Sequence, residues 1–305
     1  MLPLQALDYP TRPVRIIVAF APGGPTDIFG RIAAQKLSDE LGKQFYVENI
    51  SGGGGNIGAA QAARAAPDGY TILFTVSALV TNPAFLGKAP YDPIQDFAPV
   101  AVPIASAITI AVNPSLGVNT LDELFALVRA NPGKYTYATG GAGAQPHLAF
   151  EQLRLSLDLD IVHVPFGGAG PAVSSMVAGH TPIGVISLPP CVPHIQEGNL
   201  RALVLSSTKR SQKLPNIPTA AQAGYPIFTG DQWVGILVPA ATPEEIVSLL
   251  HHTIVDITAQ PDVKERLAAL DFYDIQSTPK EFAERIKTEL QSWRKVVQAA
   301  HINPG

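Results

Sequence analysis

The chain has 305 residues, of which 46% are hydrophobic and 15% are charged, and its formal net charge at pH 7 is −4. This length accommodates two domains of ordinary size, and the composition is typical of a folded protein, not of a disordered one. Lysine and arginine are scattered without a basic stripe, which argues against a nucleic-acid partner. The sequence contains no run of about 18 apolar residues, so we predict no membrane-spanning helix.

Strand-like and helix-like segments alternate in the first third of the chain. The strand-like runs are VRIIVAFA (14–21), QFYVEN (44–49) and TILFTVS (71–77), and helical patterns cover 28–42 and 59–66 between them. This β-α-β-α-β order predicts a parallel sheet covered by helices.

The pattern restarts after 99–114, which we interpret as two strands that meet at a crossover. A helix is predicted over 120–133, with Thr120 and Glu123 forming a capping box at its start. Residues 136–158 are predicted to hold a strand, a glycine turn and a helix. The remaining predictions are strands within 160–168, 181–188, 201–210 and 231–240, and helices over 170–180, 243–259, 261–270 and 280–299.

Two similar α/β blocks joined by two crossings predict two lobes. The first lobe is expected to comprise residues 1–107 and 226–305, and the second lobe residues 108–225. In open α/β sheets, ligands bind beyond the carboxyl ends of the strands. The expected binding site is therefore a cleft between the lobes.

Four strand-to-helix loops are rich in glycine and other small residues, and none contains lysine or arginine. They are APGGPTD (21–27), SGGGGNIG (51–58), TGGAGAQPH (139–147) and FGGAGP (166–171). A helix N-terminus carries about half a positive charge and unpaired N–H donors, so it attracts anions. The loops thus predict an anion held mainly by backbone N–H groups, assisted by the hydroxyls of Thr26, Ser77 and Thr139. The alternative is that the glycines serve only the tight turns of the fold.

SGGGGNIG also contains a formal match to the dinucleotide-binding pattern G-x-G-x-x-G, beginning at Gly53. That pattern normally follows the first strand, and an acidic residue ends the next strand. Here the pattern follows the second strand, and the third strand ends in Ser77, so we predict no dinucleotide. The sequence also lacks a nucleophile elbow, a phosphate-binding P-loop and an H-E-x-x-H metal motif. We therefore expect no catalytic residues, no metal and no cofactor.

Four polar or reactive side chains are interpreted as structural. Cys191 lies between prolines and has no second cysteine to pair with, so we expect a small buried thiol. His147 and His194 could face the cleft, but a hydrogen-bonded structural role is the simpler interpretation. Asp27 is placed to cap the helix that follows it, even if its loop also binds a ligand.

The motifs together resemble the Bug (TctC-like) solute-binding proteins, the extracytoplasmic receptors of tripartite tricarboxylate transporters. The resemblance begins with YPTRPVRIIVAFAPGGPTDIFGRIAAQKLSDELGKQFYVENISGGGGNIGAAQAARAAPDGYTILF. It continues in order through YATGGAGAQPHLAFE, HVPFGGAGPA, PHIQEGNLRALVLSSTKRSQKLPNIPTAAQAGYP and WVGILVPAATP, and so covers nearly the whole chain. It implies an α/β protein with the two-lobed type II periplasmic-binding fold, each lobe a mostly parallel sheet flanked by helices.

The resemblance further implies a monomeric receptor in the periplasm that closes on a small carboxylate and delivers it to membrane permease subunits. The first ten residues, MLPLQALDYP, lack the basic and apolar regions of a signal peptide. Met1 is therefore either a natural start or stands where a leader has been removed.

In the family, main-chain groups and waters from both lobes hold the ligand carboxylate, without an essential arginine. The resemblance carries this role, position by position, to Pro22, Gly23, Gly24, Pro25, Thr26, Asp27, Ser77, Gly140, Gly143, Ala144 and Gly167, with Ile186 on the wall of the pocket.

Three departures from the family pattern make the expected pocket less polar. Val185 and Ile186 stand where a phenylalanine–aspartate pair is usual, which argues against an amino-acid ligand. Ile50 and Ser51 replace an Arg-Pro pair, and Ala144 stands where serine is common. We therefore expect an aliphatic or aromatic mono- or dicarboxylate in preference to citrate or aspartate.

Two other functions stay open at this point. A ligand-sensing partner of a two-component kinase would use the same closed state as a transport receptor. A cytoplasmic α/β enzyme acting on a carboxylate would need an acid–base pair in the cleft, and the sequence shows no obvious pair.

Overall fold

One strand of 16 residues, β4 (Phe97–Val112), joins the two halves of the sheet. The computed structural model describes residues 8–302; residues 1–7, which include the Met1 start considered above, and 303–305 lie outside the described residues. The other strands are β1 (Val14–Val18), β2 (Phe45–Asn49), β3 (Thr71–Val76), β5 (Thr136–Thr139), β6 (Val162–Pro165), β7 (Ile183–Ser187), β8 (Arg201–Leu205), β9 (Asp231–Pro239) and β10 (Tyr273–Asp274). The helices are α1 (Pro25–Leu41), α2 (Asn56–Ala63), α3 (Ala78–Leu86), α4 (Leu121–Arg129), α5 (Gln145–Ser156), α6 (Ala169–Val177), α7 (Val192–Gln196), α8 (Glu244–Ala259), α9 (Pro261–Ala269) and α10 (Pro279–Ala299).

The sheet has the strand order β2-β1-β3-β9-β4-β7-β5-β6, and β8 and β10 also pair with β4. The predicted parallel pairing joins β2, β1 and β3 in one half and β7, β5 and β6 in the other. Antiparallel pairs form the centre, where β4 pairs with β9 up to Ala107 and with β7 from Ile108 onward. The protein is therefore a mixed α/β fold whose two halves share a central strand.

Residues 99–112 belong to the single strand β4, so the prediction of two strands over 99–114 was wrong. The register of β4 against β9 shifts between Pro99 and Ala101 and again before Ile104, so the strand bends without ending. Every residue from Val100 to Val112 is buried. Burial on both faces produces a continuous apolar run, and such a run contains no signal that separates one strand from two.

Several helix boundaries differ from the prediction for local reasons. Helix α3 was not predicted, because its first eight residues are buried and Pro83 lies inside it, so it shows no amphipathic pattern. Helix α1 begins at Pro25, since proline suits the first helical position. The Thr120 hydroxyl accepts a hydrogen bond from Glu123 N–H as predicted, but Glu123 Oε2 accepts from Asn119 N–H at 2.6 Å, so the capping box is half formed.

Two main hydrophobic cores lie on either side of the shared strand. The first combines residues from Tyr9 to Ala105 with residues from Trp233 to Leu290, and the second extends from Ile108 to Phe228. We propose that these cores mark the two lobes predicted from the sequence, called the first lobe and the second lobe below. Because Phe228 packs in the second core, we place the second crossing at Asp231, where β9 begins.

Cys191 is completely buried in the second lobe. Burial raises the pKa of its thiol to about 12, so the thiol stays protonated at neutral pH and is a poor nucleophile. Within residues 8–302, no helix combines the length and the apolar character needed to cross a membrane.

Candidate ligand-binding site

A small cavity lies where the two lobes meet. It is bordered by the loops that follow β1 and β5, by the ends of β3 and β7, and by the start of β9. The residues that line it are Phe20, Gly24, Pro25, Thr26, Val76, Gly140, Ala144, Pro146, Ala169, Ile186, Ser187 and Gln232.

Half of the predicted site residues line this cavity. They are Gly24, Pro25, Thr26, Gly140, Ala144 and Ile186. The others, Pro22, Gly23, Asp27, Ser77, Gly143 and Gly167, lie outside the lining. The role of all twelve in binding stays a prediction.

Sequence reasoning did not identify the other six lining residues. They are Phe20, Val76, Pro146, Ala169, Ser187 and Gln232. Each lies at a strand end or in the first turn of a helix next to a glycine loop or a crossing. Their positions at the predicted ends of strands and starts of helices were therefore the sequence signal that could have identified them.

Three helices direct their N-termini at the cavity. Their N-cap residues are Gly24 for α1, Ala144 for α5 and Gly168 for α6, and no side chain at these positions caps the helix. The first N–H groups of a helix have no intrahelical partner. Each of these first turns contains one proline, which has no N–H, so the donors available to a ligand come from the other residues of the turn. No lysine, arginine, histidine, aspartate or glutamate lines the cavity among the described residues. The arrangement suits an anion held by neutral donors and helix dipoles.

The carboxylate of Asp27 holds the first glycine loop in shape. It accepts hydrogen bonds from Gly23 N–H at 3.0 Å, from Arg31 Nε and Nη2 at 3.1 and 2.8 Å, and from Asn49 Nδ2 at 2.9 Å. Burial opposes ionisation of this group, but these hydrogen bonds outweigh it and lower the pKa of Asp27. The side chain is therefore fully engaged within the first lobe.

Hydrogen bonds join the lobes on the borders of the cavity. They connect Ser77 Oγ to Gln145 Oε1 (2.5 Å), Thr81 Oγ1 to the Gly143 carbonyl (2.6 Å) and Ala21 N–H to the Gly167 carbonyl (3.0 Å). In each pair one partner belongs to the first lobe and the other to the second. The proposed lobes are thus in direct contact beside the cavity.

Glycine allows the backbones of the two lobes to approach closely. A Cβ atom at Gly170 would overlap the Pro22 carbonyl oxygen, and one at Gly54 would overlap the Ala142 carbonyl oxygen. Both overlaps are between lobes, so they would arise only on closure. The loop 51–58 contains the G-x-G-x-x-G match to the dinucleotide-binding pattern. Its glycine at position 54 instead packs against the second lobe.

The comparison with known protein families decides the identity of this fold. The family model of the tripartite tricarboxylate transporter family receptors (TctC) matches residues 29–302. The chain belongs to this family. It is 35% identical to Protein BugT of Bordetella pertussis over 97% of its own length and 91% of that protein's length.

Solved structures agree with the family assignment. The periplasmic binding protein BugD has a TM-score of 0.92 and 30% identity, over 97% of this chain and 99% of BugD. A protein of Rhodopseudomonas palustris with adipate has the same TM-score and identity, over 97% of this chain and 99% of that chain. MatC from Rhodopseudomonas palustris with bound malate has a TM-score of 0.91 and 31% identity, over 95% of this chain and 100% of MatC. The periplasmic-binding-protein fold predicted from the sequence is thereby confirmed.

Two stacked histidines support the glycine loop of the receptor's second lobe. The rings of His147 and His163 lie 4.0 Å apart, centroid to centroid. His147 Nδ1 accepts a hydrogen bond from Gly143 N–H at 3.2 Å, and His163 Nε2 lies 2.7 Å from Thr139 Oγ1. The pair therefore anchors both ends of the turn that borders the cavity.

Both imidazoles are neutral at pH 7. Burial lowers the pKa of His147 to about 4, and burial together with the adjacent His147 ring lowers the pKa of His163 to about 3. The nearby Glu151 carboxylate accepts hydrogen bonds from Tyr137 and Arg154, which lower its pKa in spite of burial. Because Arg154 pairs with Glu151, the negative charge available to stabilise a protonated imidazole is largely balanced.

We predict that Gly170→Ala weakens ligand binding without unfolding the receptor. Alanine is a better helix residue than glycine, so the open receptor should be as stable as before. In the closed state the new methyl group meets the Pro22 carbonyl oxygen. Overpacking of this kind costs about 1–3 kcal/mol, which corresponds to a roughly 5- to 150-fold rise in Kd for a carboxylate, measured by titration calorimetry.

Ser174→Ala is the matched control, because Ser174 is exposed on the same helix. It should bind like the unmodified receptor. Equal affinity of Gly170→Ala and the unmodified receptor would show that closure does not depend on this glycine.

We also predict that the receptor loses stability as pH falls from about 6.5 to about 4. Unfolded histidines bind protons near pH 6.5, whereas His147 and His163 stay neutral in the fold, so the unfolded state gains protons first. The loss should be on the order of a few kcal/mol in the free energy of urea unfolding. At lower pH, the lowered pKa values of Asp27 and Glu151 add a loss of the same sign.

His163→Gln should make the free energy of unfolding depend less steeply on pH, since glutamine can still form a hydrogen bond to Thr139 but does not titrate. His180→Gln, at an exposed position of the same lobe, should leave the slope unchanged. An unaltered slope in His163→Gln would contradict the assignment of the acid sensitivity to the stacked pair.

Proposed function

We propose that this receptor captures a small carboxylate between its lobes in the periplasm and delivers it to the membrane permease of a tripartite tricarboxylate transporter. The observation that carries the proposal is the convergence of three helix N-termini on one cavity whose described lining contains no ionisable side chain. Such a site holds an anion through backbone N–H donors. The relatives whose structures contain adipate and malate support a carboxylate as the ligand.

We infer that the ligand is an aliphatic or aromatic mono- or dicarboxylate. Phe20, Val76 and Ile186 provide apolar surface beside the helix ends. The ammonium group of an amino acid would find no carboxylate among the described lining residues, and burying an unpaired charge is costly. Citrate would bring three carboxylates to a site where each helix offers only about half a charge.

Binding and closure are coupled because the donors come from both lobes. Helix α1 belongs to the first lobe and helices α5 and α6 to the second, and their N-termini meet at one cavity only when the lobes are closed. A ligand shifts this equilibrium by the difference between its affinities for the closed and open states. The closed receptor, acting as a monomer, is then the form that the permease recognises. An acid–base enzyme would need paired ionisable groups at the ligand, and the described lining offers none.

A thermal-shift screen with mono-, di- and tricarboxylates, amino acids and NAD tests the proposal. Protein stripped of ligand by unfolding and refolding should respond to one class of carboxylate. At about 100 times its Kd the ligand adds roughly 2.7 kcal/mol, which is a rise of several degrees in Tm. A shift with NAD and with no carboxylate would overturn the proposal.

A matched pair of variants assigns the shift to this cavity. Ala169→Asp places a carboxylate at the start of α6, where it competes with the ligand and is itself tolerated by the helix dipole. This variant should fold and lose the shift. Ser174→Asp, at an exposed position of the same helix, should keep it. An unchanged shift in Ala169→Asp would mean that the ligand binds elsewhere.

A further inference from the structure

The hydroxyl of Ser187 has no hydrogen-bond partner among the described residues, although it is buried. Ser187 is 2% exposed and lines the cavity at the end of β7. Buried polar side chains are nearly always hydrogen-bonded, so an unpartnered one at a cavity indicates a partner that comes from outside the protein. The sequence motifs did not single out this residue.

Gln232 lines the same cavity from the other lobe. Gln232 is 5% exposed and is the second residue of β9. Its side chain offers two N–H donors and one carbonyl acceptor, whereas the serine hydroxyl both donates and accepts. Two neutral hydrogen-bonding groups, one from each lobe, therefore border the cavity in addition to the helix ends.

The register of the sheet places these two side chains on one face. Gln232 lies opposite Ser106 on β4, and Ser187 lies opposite Ile108 on β4. Directly opposite residues of antiparallel strands point to the same face, and so do residues two apart on one strand. The Ser106 hydroxyl is also buried without a partner in the described structure. Unsatisfied polar groups thus gather at the junction of the two halves of the sheet.

The charge of the site selects what these groups can bind. The helix N-termini supply the positive potential that a carboxylate needs. Ser187 and Gln232 are neutral, and no ionisable side chain accompanies them in the described lining. They can therefore satisfy an uncharged oxygen but cannot neutralise an ammonium group.

Resting on the proposed function, we propose that Ser187 and Gln232 form a subsite for an uncharged hydroxyl or oxo oxygen of the ligand. The receptor then selects a hydroxy- or oxo-carboxylate over the same acid without that oxygen. When the unsubstituted acid binds, the buried hydroxyl of Ser187 stays without a partner, and this penalty produces the selectivity.

Calorimetric titration with matched pairs of acids tests this subsite. The pairs are 3-hydroxybutyrate and butyrate, malate and succinate, 2-oxoglutarate and glutarate, and 4-hydroxybenzoate and benzoate. We expect the oxygenated member of at least one pair to bind at least tenfold more tightly than its partner. In Ser187→Ala and in Gln232→Leu the ratio of the two Kd values should fall to within about twofold of one. Ser174→Ala should keep the ratio of the unmodified receptor.

The possible results separate this inference from the proposed function. If unsubstituted acids bind as tightly as their oxygenated partners, or if Ser187→Ala leaves the ratio unchanged, the subsite is overturned while carboxylate binding stands. If no acid binds in any pair and none shifts the Tm in the wider screen, the proposed function fails and the subsite fails with it. The Tm of unliganded Ser187→Ala is a second readout, and it should not fall, because the variant removes an unsatisfied buried hydroxyl.

Discussion

A carboxylate can be held without a cationic side chain only if main-chain N–H donors from both lobes come close together around it. One helix N-terminus offers only about half a charge, so the site depends on several helix ends that reach the same cavity. Glycine at positions 54 and 170 removes the Cβ atoms that would keep the lobes apart. The neutral lining and the glycine-rich loops are thus two consequences of one requirement, the close approach of N–H donors to the ligand.

Two acidic side chains near the cavity, Asp27 and Glu151, are paired with arginines, so their negative charges are largely balanced. Asp27 is held by Arg31 and Asn49 within the first lobe. In the second lobe, Glu151 is held by Arg154, and the stacked histidines beside it are neutral. These two carboxylates therefore oppose the positive ends of the helices only weakly. The same pairing makes the fold sensitive to acid, because each of these groups binds protons more readily when the chain unfolds.

The shared strand gives the two ends of the cavity different mechanical roles. Groups close to a hinge move less than groups far from it when two rigid bodies rotate. Ser187 and Gln232 lie beside the β4 junction, whereas the helix ends lie on opposite lobes away from it. If the lobes rotate about this strand, we expect the proposed polar subsite to be largely formed before closure and the proposed anion site to be assembled by closure. The proposed recognition of the uncharged oxygen and of the carboxylate would then be separated in space.

The sequence by itself determined the alternation of strands and helices, the glycine loops at the strand ends and the absence of lysine and arginine from those loops. These are local features, and each follows from residue type and spacing. The tertiary structure alone decided that β4 is one strand, that Ser77 bonds to Gln145 and that Ser187 faces the cavity without a partner. Such contacts join residues far apart in the chain; Ser77 and Gln145 are separated by 68 positions. A buried apolar run or a lone serine looks the same in sequence whatever it meets, so only the folded chain reveals its partner or the lack of one.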